Sequence, residues 1–379
     1  MAPDAEASAA PPTTMANCLD YTIKGFVGIA AVSGIVKDAL CGNSPWVDSS
    51  LIPRLVRLSG MVALDRCTSS ASRMAEKYAT GADSLKGKVI VITGSTGGLG
   101  QEAARVLIHH GAHVVFAVRT VSKGEAVLKS IMDEGATGKG TVLELDLTDL
   151  KSVEKFAKAF LATKLPLHVL MLNAGIMMPP TKEISKQGHE LQFAVNHLGG
   201  FYLTKLLSAK VLASGTKETP ARVVYVASEA AELWNGPGAG EGMAEQVPPT
   251  RAYHPLHCYS LSKALNILTA KEQQRRWGPD ATAICVAIHP GIIKTNLLAN
   301  AGAIEGAFYG WPFLYAQKSI AQGASTQVYA SVAEQVVAEV RAGAFYYYNN
   351  DKQTVWRASD YSDEVCKETW ELSMKLLPK

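Results

Sequence analysis

Tyr259 and Lys263 stand four residues apart in the run Tyr259-Ser260-Leu261-Ser262-Lys263, which puts a phenol and an ammonium on one face of a helix. A free phenol ionises near pH ~10, and a lysine ammonium beside it favours the phenolate. A shift of ~3 units needs ~4 kcal/mol, so a second positive charge would have to share the work with Lys263. Tyr-x-x-x-Lys is common by chance, and its weight depends on what stands near it. Ser228 closes the apolar run 222–227 with a hydroxyl suited to hold a substrate oxygen. Asn196 lies in a long helical segment, from which it would support Lys263 through a water molecule.

A second constellation lies earlier. Val89-Ile90-Val91-Ile92 reads as a strand buried on both faces, and residues 101–108 read as a helix. Between them run Thr93, Gly94, Ser95, Thr96, Gly97, Gly98, Leu99 and Gly100. Strand, glycine turn and helix bring bare N–H groups and a helix N-terminus up to a phosphate. The glycine spacing differs from the commonest dinucleotide fingerprint, but the strand–turn–helix context that gives such a turn meaning is present.

Arg119 directly follows a second apolar run, 113–118, with Lys123 one helical turn further on. An acidic residue there would bind a ribose hydroxyl, whereas an arginine accommodates a 2′-phosphate, so the expected cofactor is NADP(H). Asp146, beyond a third strand, is placed to accept from the adenine amino group, with Leu147 beside it. An oxidised nicotinamide would then be the second positive charge near Tyr259, and the phenol would act as acid–base in hydride transfer.

These residues require a scaffold that ends several strands at one edge. Strands are expected over 89–92, 113–118, 142–145, 168–172, 222–227, 282–288 and 344–348, and helices over 101–108, 122–133, 150–161, 191–210, 259–277 and 319–338. This alternation predicts an α/β fold, with one Rossmann-type doubly wound parallel sheet and helices on both faces. Ligands belong at the carboxyl edge of such a sheet, where strand order reverses.

Two segments are expected to stand apart. Residues 81–379 form the catalytic domain, folded from near Leu85, with 81–87 as linker; residues 1–80 form an extension. The extension opens with an Ala/Pro-rich stretch suited to disorder and continues in amphipathic helical pattern, with Leu51, Leu55, Leu58 and Val62 on one stripe beside Arg54, Arg57 and Arg66. Its apolar run 26–36 is short of the ~20 residues that span a bilayer. A helix lying in a membrane interface and a helix packed on the domain fit this pattern equally. Residues 297–315, rich in apolar and aromatic side chains, suit a lid over an apolar pocket or plain packing against the core, and 308–315 suit a second membrane contact. The expected location is intracellular, peripheral on an organelle membrane, with endoplasmic reticulum and chloroplast indistinguishable.

The net charge of +3, without a long basic block, gives no case for a nucleic-acid partner. The six scattered cysteines lack a C-x-x-C pair, and the histidines lack ligand spacing, so no metal is expected.

Taken together, the chain resembles the short-chain dehydrogenases/reductases over about residues 85–350. The resemblance rests on Thr93-Gly94 with Gly98-Leu99-Gly100, Asp146, Asn173-Ala174-Gly175, Asn196, Ser228, Tyr259 with Lys263, and Pro290-Gly291 with Thr295, all in the family's order. It implies a catalytic tetrad of Asn196, Ser228, Tyr259 and Lys263, with Lys263 also binding the nicotinamide ribose. It further implies cofactor contacts at the glycine turn, Asn173, Ala174, Gly175, Pro290, Gly291 and Thr295. Val195-Asn196-His197-Leu198-Gly199, His289-Pro290-Gly291, Gln322-Gly323-Ala324-Ser325-Thr326 and Trp370-Glu371-Leu372-Ser373 are similar to the retinol-dehydrogenase-like branch, which includes the WW-domain oxidoreductases. That branch implies a small lipophilic alcohol or carbonyl as substrate. Leu172, where the family usually has asparagine, and Gly200, where the branch usually has histidine, depart from the pattern. A non-catalytic or redox-sensing subunit of a membrane assembly, retaining the nucleotide, is the second reading.

Overall fold

The computed structural model describes residues 70–79, 83–234, 253–293, 297, 317–348, 351–352 and 361–378. The expectations for residues 1–69, for Thr295 and for 298–315 lie outside the described residues.

Among the described residues, eight strands make one sheet: β1 (Val89–Thr93), β2 (His113–Val118), β3 (Lys139–Glu144), β4 (Val169–Leu172), β5 (Ala221–Val226), β6 (Ala283–His289), β7 (Tyr346–Tyr348) and β8 (Asp351–Lys352). Their order is β3-β2-β1-β4-β5-β6-β7-β8. β1 to β7 are parallel throughout and β8 pairs antiparallel with β7. β1 is central because its five residues are all buried. Its side chains alternate between two cores, as strand geometry dictates: Val89 and Val91 face one layer, Ile90 and Ile92 the other.

Among the described residues, the α-helices of four or more residues are α1 (Ala71–Tyr78), α2 (Gly98–His109), α3 (Val121–Asp133), α4 (Leu150–Ala162), α5 (Gly199–Ser214), α6 (Pro255–Trp277), α7 (Ile320–Gly323), α8 (Ser325–Val332), α9 (Glu334–Arg341) and α10 (Asp363–Lys375). One face of the sheet carries α4, α5, α6 and α10, through residues such as Phe156, Leu203, Leu265 and Cys366. The other carries α1, α2, α3, α8 and α9, through Met74, Leu107, Ile131, Val328 and Val336. The doubly wound sheet is thus as expected. Strand order reverses between β1 and β4, and the crevice beyond their carboxyl ends is where ligands bind in such folds.

Several boundaries differ from the sequence reading, each for a local reason. α6 starts four residues before Tyr259, with Pro255 in the first turn and the His254 side chain accepting from the His257 N–H at 3.3 Å. The helix expected over 319–338 is three pieces: α7 and α8 meet at Ala324, and the chain breaks between α8 and α9 where Ala333 is extended (φ −70°, ψ 128°). The segment expected as one helix from 191 contains a π turn, Ala194–Leu198, just before α5.

The folded core also begins earlier than Leu85. Ser70 caps α1 through the Arg73 N–H, and Ala71, Met74 and Ala75 are buried in the same core as β1. The Tyr78 ring meets Tyr329 of α8 edge-on, 5.3 Å between centroids. The end of the segment read as an extension therefore packs on the domain.

Candidate active site

The glycine turn joins β1 to α2 and is held from below. The Ser95 hydroxyl is buried and donates to the Ile92 carbonyl at 3.2 Å, so it braces the turn rather than reaching outward. Gly94 has φ +68°, and a Cβ placed on it would stand 2.9 Å from the Ala174 Cα. A Cβ on Gly100 would come within 2.4 Å of the Asn173 amide nitrogen. Only glycine satisfies both positions. Gly97, by contrast, faces open space and gives α2 no side-chain cap. The first N–H groups of this twelve-residue helix are therefore left to an outside acceptor. Such a cradle fits the pyrophosphate of a dinucleotide.

Asn173-Ala174-Gly175 follows β4 and ties the two central strands together. The Asn173 amide donates to the carbonyls of Thr93 (2.9 Å) and Gly94 (3.2 Å), and the Ala174 N–H donates to the Thr93 hydroxyl (3.0 Å). The remaining Asn173 oxygen accepts from Gln327 of α8 at 2.9 Å. The Asn173 side chain thus shapes the turn and has these protein partners. Gln327 was not singled out from the sequence; its contact spans 154 residues, which no local pattern reveals.

Arg119 and Lys123 are both exposed, at the end of β2 and on α3. Neither makes an ion pair among the described residues. Asp146 is half-buried, and its Oδ1 accepts from the Thr148 N–H at 2.9 Å. Leu147 is buried and packs toward Gly199.

The second group converges on the other side of β4. Lys263 is buried, and its Nζ donates to the Val226 carbonyl at the end of β5, 3.0 Å away. Burial without a counter-charge pushes its pKa down to about 8. The Tyr259 ring lies one turn before it on α6, 5.7 Å from Nζ to the ring centroid. A Cβ on Gly175 would stand 3.3 Å from Lys263 Nζ and 3.2 Å from Asn196 Oδ1, so Gly175 leaves the approach to both open. Ser228 caps the 3₁₀ turn Glu229–Leu233, its oxygen accepting from the Ala230 N–H at 3.2 Å. Ala230 packs beside Tyr259, together with Met177, Met178 and Leu256.

Asn196 sits in the π turn, a local widening often found at functional positions. Its amide donates to the Ile176 carbonyl (3.0 Å) and the Ser262 hydroxyl (2.9 Å), and its oxygen accepts from the Ile176 N–H (2.8 Å). The Asn196 backbone carbonyl accepts from Asn266 at 3.0 Å. Asn266 also lies 3.5 Å from the Val226 carbonyl that holds Lys263. Asn196 thus reaches the Lys263 region through Ser262 and Asn266. Neither partner was foreseen, although both fall on the helical stretch that carries Tyr259.

Pro290 is buried and Gly291 adopts φ +98° just beyond β6, at the same sheet edge as Ser228. Around Tyr259 the walls are apolar. Met178 has φ +48°, uncommon for a residue with a side chain, and its N–H is captured by Gln192 Oε1 at 2.8 Å.

This arrangement is that of a Rossmann-type dinucleotide fold carrying a Tyr–Lys pair at its carboxyl edge. A family model described as short chain dehydrogenase matches residues 88–238. Human retinol dehydrogenase 11 is 35% identical over 77% of this chain and 86% of its own. The WW domain-containing oxidoreductase of Danio rerio is 35% identical over 77% of this chain and 69% of its own. A crystal structure of an uncharacterized protein from Mycobacterium Paratuberculosis is 30% identical and aligns with a TM-score of 0.57, covering 77% of this chain and 94% of that one. The chain belongs to the short-chain dehydrogenase/reductase family, in its retinol-dehydrogenase-like branch, and is an oxidoreductase. The family works with NAD(P)(H).

Proposed function

We propose that this chain is an NADP(H)-dependent oxidoreductase interconverting an alcohol and a carbonyl on a lipophilic, retinoid-, polyprenol- or steroid-like substrate. The observation that carries this reading is the Tyr259–Lys263 pair on α6, with buried Lys263 fastened to Val226 beside the open face of Gly175.

When bound, the nicotinamide would supply a hydride in reduction and accept one in oxidation. Tyr259 gives its phenolic proton to the carbonyl oxygen in one direction and takes the hydroxyl proton in the other. Lys263 favours the phenolate by its charge and offers a donor to the ribose. Ser228 orients the substrate oxygen from a turn that packs on Tyr259 through Ala230. Asn196 keeps the loop after β4 in register with α6.

The uncapped start of α2 and the backbone from Gly94 to Gly100 suit the pyrophosphate, and exposed Arg119 with Lys123 suits the 2′-phosphate. Asp146 and Leu147 would border the adenine, and Pro290, Gly291 and Thr295 the nicotinamide amide. Apolar walls at Met177, Met178 and Leu256, and relatives that include retinol dehydrogenases, favour a lipophilic substrate. Purified protein given NADPH and a panel of carbonyls that includes retinal should oxidise the cofactor; no turnover with any member of the panel overturns this reading.

Membrane docking belongs to the same proposal. Residues 22–66 and 308–315 would hold the enzyme on a bilayer, with ~1.5–3 kcal/mol for each large apolar side chain inserted. Because α1 belongs to the core, the informative truncation begins at Ser69 and retains the Ser70 cap. Full-length protein should float with liposomes and that truncation should float less; equal flotation overturns docking by residues 22–66.

A further inference from the structure

Glu229 and His289 form a buried pair between two turns that the sequence leaves unconnected. Glu229 follows Ser228 and opens the 3₁₀ turn after β5, while His289 ends β6 and precedes Pro290-Gly291. Their exposures are 4% and 2%. The N–H groups of Glu229 and Gly291 both point at His289 Nδ1, at 3.1 and 3.4 Å. Nδ1 is therefore the bare nitrogen, and in the neutral ring Nε2 carries the proton. Nε2 lies 3.1 Å from Glu229 Oε2 and donates to it. One imidazole thus accepts a bond from each turn and returns one to the first.

A glutamate this deeply buried is rare unless paired. Replacing a buried polar pair with apolar side chains of like volume is often neutral or stabilising, so stability alone is weak ground for its presence. What the pair supplies is geometry. Three hydrogen bonds fix the ring's rotation, and with it the offset between the backbone after Ser228 and the backbone at Gly291. These are the two sheet-edge turns that would border the substrate oxygen and the nicotinamide.

We infer that Glu229 and His289 are positioning residues which hold the Ser228 turn and the Pro290-Gly291 turn at a fixed separation for hydride transfer. The inference rests on the proposed oxidoreductase reading, and it is tested in full-length protein by two independent measurements. Amide hydrogen exchange reads the turns directly. Glu229→Leu should speed exchange by about tenfold in both 227–233 and 290–293, whereas Glu229→Gln, which keeps an acceptor for Nε2, should stay close to wild type. NADPH-dependent turnover reads the consequence: kcat should fall by about 10–100-fold in Glu229→Leu, with the KM for NADPH within about twofold, and Glu229→Gln should restore kcat. If Glu229→Leu does not fold, His289→Leu removes the shared acceptor and should loosen both segments in the same way.

Faster exchange confined to one turn overturns the coupling. Unchanged kcat with both turns loosened overturns its link to turnover, and Glu229→Gln behaving like Glu229→Leu overturns the role of the hydrogen bond. Wild-type protein inactive on every carbonyl defeats the proposed function instead, while the exchange measurement still decides whether the turns are coupled.

Discussion

Leu172 at the end of β4 lies against Gly200 on α5: a Cβ placed on Gly200 would stand 3.6 Å from both δ carbons of Leu172. Both stand out in the sequence as departures from the pattern of the family it resembles, and in space they meet. A leucine pointing toward α5 uses the room that a side chain at position 200 would take. Gly200→His alone should therefore overpack this contact and cost about 1–3 kcal/mol. Leu172→Ala alone should leave a cavity worth about 2–5 kcal/mol. Combining Gly200→His with Leu172→Ala should cost less than the sum of the two single changes. Urea unfolding of the four proteins checks the cycle, and strict additivity would show that the two sites do not interact.

Tyr259 and Lys263 should separate under mutation. Tyr259→Phe keeps the ring against Met178 and Ala230 but removes the transferable proton. Cofactor affinity should hold within about twofold while turnover falls by about 10²–10⁴-fold. Lys263→Ala should weaken both, because in the proposed mechanism one side chain would serve the ribose and the phenol. Titration of NADPH fluorescence beside steady-state rates distinguishes the two outcomes. Near-normal turnover by Tyr259→Phe would remove the phenol from the mechanism.

If the chain takes NADP(H) as proposed, Arg119→Asp should shift its preference away from the phosphorylated cofactor. The exposed guanidinium offers paired donors to a 2′-phosphate, and an aspartate there would repel it while accepting from a ribose hydroxyl. The Kd for NADPH should rise by at least about tenfold while that for NADH holds or falls. Equal losses for both cofactors would show that Arg119 does not read the phosphate.

His197 should make the protein sensitive to mild acid. It is fully buried, packed between Phe193 and Phe201. Asn266 turns its amide to the Asn196 carbonyl, so its oxygen faces His197 Nδ1 at 3.3 Å and receives the proton there. Nε2 lies 2.9 Å from the Ser373 hydroxyl of α10, which itself donates to the Thr369 carbonyl at 2.7 Å. Burial pushes the pKa down from 6.5 to about 4. The unfolded chain takes up this proton below about pH 6.5 and the folded chain does not, so stability falls as pH drops from 6.5 toward 4. The full effect is on the order of 3 kcal/mol. Urea midpoints at pH 7 and pH 4.5 should differ less in His197→Gln than in wild type; an equal drop would assign the acid sensitivity to other groups.

Local pattern made much of this molecule legible. Val89 to Gly100 announces its strand, turn and helix because buried β-branched runs and glycine turns are short-range signals. Tyr259 and Lys263 are four apart on one helix, so their proximity needs no tertiary knowledge. The contacts that position them were not legible. Gln327 reaches Asn173, and His289 reaches Glu229, across sheet crossovers whose registers no nearby residue encodes. The π turn at Asn196 is set by a tertiary mesh of Ile176, Ser262 and Asn266, while its sequence reads as ordinary helix. The packing of α1 was missed because eight residues with one small apolar face look like the tail of a linker.

That small helix has a bearing on how the chain is made. Ala71, Met74 and Ala75 find their cover on α8, about 250 residues later in the chain. At ribosomal speeds of about 5–20 residues per second, their apolar face waits roughly 10–50 s for its partner. β1 waits as well, since its neighbour β4 begins 80 positions later. During biosynthesis β4 therefore stays an open edge until β5 emerges and α1 lacks its later partner for longer still, so the nascent polypeptide should engage holdase chaperones until α8 emerges. Ribosome-bound chains arrested before residue 325 should be more sensitive to protease in 70–110 than chains released complete.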